Sequence, residues 1–240
     1  MTVQFRTLPV FGTDPRAVAD VVNGIMNGKT NNTGTITLAT GGATTTTLND
    51  RRIGADSVIM FVPSSAAAYA DSVPHGAFQD STNQTAASTT VAYAVTFNTT
   101  DFSNGITLSN NSRLNVKNAG LYNLQFSIQL KNTTNDGQDV DIWFRKNGTN
   151  IPNSNSRFHP PQRKSSGDPS HIIAALNFFV DMAANDYIEI VWRTANTDVS
   201  IEAFGAGTSP TRPAVPSVIA TMSFVSTNSL TNLYTSNQVS

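Results

Sequence analysis

The 240-residue sequence contains no cysteine. That absence removes disulfide frameworks, zinc–thiolate sites and thiol nucleophiles together, and leaves the redox compartment open. Charge is also scarce, with Asp, Glu, Lys and Arg making up only 13% of the residues where about 25% is usual. Lys and Arg total 15 against 16 Asp and Glu, and no basic run is longer than a pair such as Arg163-Lys164. The chain therefore lacks the positive footprint of a nucleic-acid partner. No apolar run approaches the roughly 18 residues that span a bilayer, so no membrane insertion is expected. The opening MTVQFRTLPVFGTDPR lacks the basic-then-apolar layout of a secretory signal. In place of charge the sequence carries Thr, Asn, Ser and Ala, a hydroxyl- and amide-rich surface that suits β structure. At this length a chain buries a sizeable core without a metal or disulfide staple.

One segment reads as a helix. In TDPRAVADVVNGIMNGK, Asp14 stands at a capping position and Pro15 at the first helical position, while Val18, Val21, Val22, Ile25 and Met26 fall on one stripe. The stripe is expected to pack on a neighbouring sheet or to dock the chain onto another protein. Three short strands, GTITLAT, ATTTTLND and DSVIMFVP, are expected over residues 34–63, because β-branched Thr and Val fit a pleated surface. Residues 1–75 thus form an N-terminal helix-plus-strands module. Residues 64–88, rich in Ala, Ser and Thr, read as the connection to a second domain, with the linker proper at 76–89.

From about residue 90 to 228 the pattern changes to alternation. VAYAVTF alternates Val91, Tyr93, Val95 and Phe97; LYNLQFSIQL alternates Tyr122 to Leu130; DVDIWF alternates Val140, Ile142 and Phe144. HIIAALNFFVDM, DYIEIVWRT, VSIEAF and SVIATMSFV continue it, with turn signals between them and no helix. About eight antiparallel strands in this arrangement predict a mainly β chain with a sandwich or jelly roll, followed by a tail over 229–240. Asn147-Gly148 supplies the two positive φ angles of a type I′ hairpin turn. Trp143 then faces away from the core stripe of Ile142 and Phe144.

Catalytic chemistry finds little support. His75, His159 and His171 lie beside no serine or acidic motif that suggests a triad. Asp136, Asp139 and Asp141 could offer oxygen ligands to calcium, but their spacing is not that of an EF-hand and alternation explains them as solvent-facing. Glu189 and Glu202 have a similar reading as surface strand residues rather than a glycosidase couple. No catalytic residue, metal or cofactor is expected, and the chain is not read as an enzyme. The stretch NSRFHPPQRKSSGDPSH, residues 155–171, carries Arg157, Phe158, His159, Arg163 and Lys164 on a proline-stiffened loop. Loops on rigid sandwiches commonly bear recognition, so these five are the candidate recognition residues.

The ordered segments YAVTFNTTDFSNGITLSNNSRLNVKNAGLYNLQFSIQL, VDIWFRKNGTNIPNSNS, ALNFFVDMAANDYIEIVWR and AVPSVIATMSFV resemble the C1q/TNF-like jelly-roll domain of bacteriophage fibre and particle proteins. Residues 1–75 resemble the N-terminal module of phage virion proteins, on DPRAVADVVNGIMNGK, the Thr run and DRRIG. The resemblance implies a virion location, a homotrimer, and contact with other virion proteins through the N-terminal stripe. It also implies a projecting head that attaches to a host surface glycan or protein. Tyr122, Trp143, Tyr187 and Trp192 are then candidate trimer-interface aromatics, with display to a host glycan as the other role for the outward ones. The insertion at 155–171 and the low charge depart from the family pattern. A purely stabilising capsid decoration protein and, further off, a polysaccharide depolymerase are the rival expectations.

Overall fold

The structure, a computed structural model, describes residues 14–26, 34–37, 45–50, 53, 58–62 and 73–227. The chain divides into two compact units, one of residues 1–60 with 235–240 and one of residues 61–234.

In the first unit, helix α1 spans Pro15–Met26. Asp14 caps it: its carbonyl accepts the Val18 amide as the first helical bond, and its Oδ1 accepts the Arg16 amide at 3.0 Å, which satisfies one of the orphan donors at the helix start. The helix buries Ala17 and half-buries Val21, while Val18, Val22 and Met26 are exposed at 41, 49 and 81%. Among the described side chains the expected stripe is therefore split, with its Val18–Val22–Met26 edge exposed. Gly28, a residue type that commonly ends a helix, lies outside the described residues. Of the three strands expected over residues 34–63, the described parts, 34–37, 45–50 and 58–62, carry no strand, and the remainder lies outside the described residues. β-branched composition favours a strand only where a partner edge is present to pair with it.

The second unit holds sixteen strands among its described residues. In chain order they are β1 (His75–Asp80), β2 (Gln84–Thr85), β3 (Tyr93–Ala94), β4 (Thr99–Asn104), β5 (Ile106–Ser109), β6 (Arg113–Val116), β7 (Gly120–Asn132) and β8 (Val140–Lys146), then β9 (Thr149–Asn150), β10 (Ser156–Phe158), β11 (Ser170–Met182), β12 (Tyr187–Thr194), β13 (Val199–Ile201), β14 (Gly207–Thr208), β15 (Thr211–Arg212) and β16 (Val218–Ser226). All pairings are antiparallel. The first sheet runs β2-β13-β7-β16-β1-β4, with β11 along the other edge of β7. The second runs β10-β8-β12-β6-β5, with β9 beside β8 and β3 beside β12. No helix among the described residues is long and apolar enough to cross a membrane.

The two sheets share one core, which makes the unit a β-sandwich. β7 contributes Tyr122, Leu124, Phe126, Ile128 and Leu130 from one sheet, and β8 and β12 contribute Val140, Ile142, Phe144, Ile188, Ile190 and Trp192 from the other. Phe144 joins the layers, edge-on to Phe126 at 5.9 Å and stacked on Phe178 of β11 at 4.5 Å. Such rings bury large apolar areas and gain about 0.5–1.5 kcal/mol per pair beyond that burial.

The residues expected to connect two domains are instead part of the sandwich. His75–Asp80 is a central strand held between β16 and β4. Its six residues HGAFQD carry only Ala77 and Phe78 as apolar side chains, too few to display a period. Gly76 admits the Phe78 ring so closely that an added Cβ would stand 2.8 Å from it. Position between two partners, rather than pattern, makes this segment a strand.

The motif Ala119-Gly120-Leu121-Tyr122 has a packing cause. A Cβ on Gly120 would lie 2.3 Å from the Phe224 ring and 2.7 Å from the Ser226 carbonyl oxygen. Tyr122 meets Phe224 edge-on at 5.5 Å and donates its hydroxyl to the Asn118 carbonyl at 2.8 Å, and burial pushes its phenol up to about 12. Because the Ser226 oxygen belongs to backbone, Gly120→Ala must separate β7 from β16. We expect this substitution to destabilise the sandwich by about 2 kcal/mol or more, read as a lower urea midpoint with an unchanged slope. A variant as stable as the parent would show that this close approach is not required.

Candidate functional site

The hairpin at Asn147-Gly148 forms as its dipeptide predicts. φ is +49° at Asn147 and +80° at Gly148, and the two-residue turn sets Lys146 opposite Thr149 and Arg145 opposite Asn150. The Asn147 side chain also ties the turn to β12, accepting the Tyr187 amide at 2.9 Å and donating to Asp186 at 2.7 Å. On β8 the residues facing away from the core are Asp141, Trp143 and Arg145, which register opposite Arg193, Val191 and Glu189 of β12. Trp143 Nε1 donates to Asn150 Oδ1 at 2.9 Å, and Arg145 Nε donates to the same oxygen at 3.3 Å. Val191 is fully buried although it faces outward.

Below the indole lies an arginine–carboxylate cluster. Asp141 receives Arg157 at 2.9 and 3.3 Å and Arg193 at 2.6 and 3.2 Å. Asp141, expected to face solvent beside Asp139, is instead 5% exposed, because the two guanidiniums cover it. Burial alone would raise its pKa, but the hydrogen bonds and charges of Arg157 and Arg193 outweigh that effect and hold it below the usual carboxylate range. Asp139 pairs with Arg157 at 3.3 Å and with His159 Nδ1 at 2.8 Å. Two of the three carboxylates considered as calcium ligands, Asp139 and Asp141, are thus bound by cations, and no group of three or more His, Asp or Glu side chains among the described residues is placed to hold a metal ion.

The insertion does not gather its five candidate recognition residues in one place. Arg157 and Phe158 belong to β10, and Arg157 and His159 are tied to the aspartates of the second sheet. Arg163 and Lys164 instead line a separate open hollow of about 480 Å³ with Pro161, Pro169 and His171. Arg163 Nε donates to Asn135 at 2.8 Å. Holding this loop is Asn132, a residue the sequence reading passed over. Fully buried at the end of β7, its amide nitrogen donates to the carbonyls of Asp136, Pro160 and Pro161, and its oxygen accepts the amide and hydroxyl of Thr134. The only sequence signal was a polar residue on the inward parity of an otherwise apolar strand.

Tyr122 and Trp192 cannot be trimer-interface residues, since they are 0 and 1% exposed inside the monomer's own core. Both occupy inward positions of their strands, where alternation continues the apolar row. Trp192 packs against Tyr93 with ring centroids 6.2 Å apart. Tyr187 and Trp143 are half-buried on the outer face of the second sheet, and the Arg113 guanidinium lies 4.4 Å over the Tyr187 ring. Glu189 accepts Ser112 and Arg113, whereas Glu202 accepts Lys131 and His171 beside the first sheet. With different partners and on different sheets, they form no carboxylate couple. Burial would raise Glu202, but the hydrogen bonds of Lys131 and His171 keep its pKa below the usual range.

The outer face of the first sheet has the opposite character. Between the row of His171 and Lys131 at one end and Asp181 at the other, the outward positions of β11, β7, β16 and β1 hold no Asp, Glu, Lys or Arg. Adjacent rows read Ala175, Ser127, Ile219, Gln79, then Asn177, Gln125, Thr221, Ala77. Phe179 and Ile173 are 54 and 61% exposed on β11, whose outer edge pairs with no strand among the described residues. Beside that edge, an apolar groove of about 350 Å³ runs between Phe178–Asp181 and Thr149–Pro152.

No protein-family profile and no curated protein sequence matches this chain.

Two outcomes follow from the polar anchors. Asn132→Ala takes one donor from each of the Asp136, Pro160 and Pro161 carbonyls, which keep Thr134, Gln138 and Ser170, and removes the acceptor of the Thr134 amide; it is expected to cost about 2 kcal/mol in a urea titration. A loss under about 1 kcal/mol would mean that water replaces the amide. Asp141 titrates lower when folded than unfolded, so its stabilisation is complete above the unfolded value and is lost as pH falls through the folded one. The urea midpoint is therefore expected to drop between about pH 5 and pH 3, with a smaller drop in Asp141→Asn. Equal drops in both proteins would remove Asp141 as the acid-sensitive group.

Proposed function

We propose that the chain is a bacteriophage virion structural protein, a homotrimeric fibre or spike with a projecting C1q/TNF-like jelly-roll head that takes part in host-surface attachment. The observation that carries this reading is the outer face of the first sheet, charge-free across four strands between the Lys131 and Asp181 rows and bordered by the thirteen-residue strand β11, whose outer edge pairs with no strand among the described residues. Soluble monomers blunt long apolar edges with charge, proline or bulges, and β11 has none of these from Ile172 to Val180. A second copy seated against that face covers Ile173 and Phe179, and three copies close a ring without leaving an open edge. The strand path suits the jelly-roll type: the first long strand and the last, β1 and β16, are neighbours, and the chain passes from β7 in one sheet to β8 in the other and back to β11. Self-association thus uses the first sheet and not the four aromatics that the sequence suggested.

The N-terminal unit supplies attachment to other virion proteins in this reading. The exposed Val18, Val22 and Met26 of α1 form a narrow apolar edge for such a contact, joined by Val21 and Ile25 in sequence. The chain acts by binding and assembly, without catalysis.

Light scattering on the full-length chain tests the assembly. The expected mass is three times 25.6 kDa, and Phe179→Asp, at an exposed position, is expected to shift it toward the monomer with circular dichroism unchanged. A monomeric parent protein at micromolar concentration, or a trimer indifferent to Phe179→Asp, would overturn the proposed assembly.

A further inference from the structure

Of the four aromatic residues singled out in the sequence, Trp143 alone has an uncapped ring. Tyr122 meets Phe224, Trp192 meets Tyr93, and Arg113 covers Tyr187, but no aromatic ring or guanidinium among the described residues stacks on the Trp143 indole. The indole is held in place by its edge. Asn150 Oδ1 takes the indole N–H and the Arg145 Nε together, which leaves the two terminal nitrogens of Arg145 and the Asn150 amide nitrogen without a partner among the described residues. Glu189, opposite Arg145 in register, is already engaged by Ser112 and Arg113. On the other side of the indole, Arg157 and Arg193 share the carboxylate of Asp141, and Arg157 also pairs with Asp139. The surroundings of Trp143 therefore hold more guanidinium than carboxylate, on a chain whose net charge is -1.

We propose that Trp143, Arg145 and Asn150 form a saccharide subsite that takes a sugar ring bearing a carboxylate. A flat aromatic face accepts the C–H face of a pyranose, and a planar guanidinium binds a carboxylate through two parallel hydrogen bonds. The Asn150 amide nitrogen is left to donate to a ring hydroxyl. A protein partner suits this site less well, because no exposed large apolar side chain belongs to β8, β9, β10 or β12, whereas the core of a protein interface is apolar. The hairpin turn is what builds the subsite: the two-residue loop puts Asn150 opposite Arg145, and strand alternation puts Trp143 on the same face. This assignment rests on the reading of the sandwich as an outward-facing attachment head, and it moves Trp143 from subunit interface to ligand surface.

Isothermal titration of the full-length chain tests it, with tetragalacturonate and sialyllactose as acidic probes and maltotetraose as the neutral one. At least one acidic probe is expected to bind saturably and to quench tryptophan fluorescence. Trp143→Ala is expected to abolish that binding, and Arg145→Gln to weaken it by about tenfold, the loss of one charge-assisted contact. Circular dichroism reports whether each variant is folded. Absence of heat with both acidic probes, equal binding of maltotetraose, or binding that survives Trp143→Ala would each overturn the assignment. Light scattering separates this from the assembly proposal: Trp143→Ala keeps the oligomeric mass of the parent, so sugar binding can fail while the trimer stands, and the reverse.

Discussion

The sandwich depends on the register of β7. This strand pairs with β11 along its whole length on one edge and with β16 and then β13 on the other, and its inward row fills the middle of the core. A slip of one residue would turn Tyr122, Leu124, Phe126, Ile128 and Leu130 to the outside and bring Asn, Gln and Ser inward. Both ends of the strand are pinned against that slip. Gly120 admits the Phe224 ring and the Ser226 carbonyl where no side chain fits, and Asn132 gathers the Asp136, Pro160 and Pro161 carbonyls on one amide. The first pin sets how close β16 comes, and the second sets where the long insertion before β11 leaves the sandwich. Folding and placement of the loop are thus consequences of the same thirteen residues.

The two outer faces of the sandwich then diverge. In the first sheet, alternation places amides, hydroxyls and a few apolar residues outward, with ions at the Lys131–Glu202–His171 group, at Asp181 and at Asp101 on the edge strand β4. Such a face carries little desolvation cost when it is covered, since uncharged amides can exchange water for a neighbour's groups. In the second sheet, Asp141, Arg157, Arg193, Glu189 and Arg113 interlock. Covering those ions would be more expensive unless a partner supplied matching charge. The scarcity of charge in the whole chain makes this partition consequential: arginine–carboxylate pairs crowd the outer face of the second sheet, while the rows of the first sheet between Lys131 and Asp181 are left uncharged for contact with like surfaces.

The strand and turn pattern from residue 90 onward was legible because each long strand has one buried face, so hydrophobicity alternates with the pleat. Asn147-Gly148 was legible for a local reason, as few other dipeptides tolerate two positive φ angles. Segments whose structure depends on distant partners were not. HGAFQD became a strand because β16 and β4 flank it, while the described residues of the Thr-rich segments near the N-terminus, 34–37 and 45–50, have strand composition and no strand. Aromatic residues misled for a related reason: Tyr122 and Trp192 share chemistry with Trp143 and Tyr187, and parity within a strand separates the two pairs only once the strand's register is known.

By itself, the sequence determined the class of architecture, the absence of thiol chemistry, the hairpin at Asn147-Gly148 and the rows of side chains that point the same way along each strand. These are properties of neighbours in the chain, set by pleat geometry and by backbone sterics. Only the tertiary structure decided that Asp141 is shared by Arg157 and Arg193, that Asn150 joins Trp143 to Arg145, that Asn132 holds the proline loop, and that the first sheet presents an uncharged face. Each of these depends on which strands lie side by side, and cross-strand neighbours are chosen by packing of the whole core rather than by any local pattern.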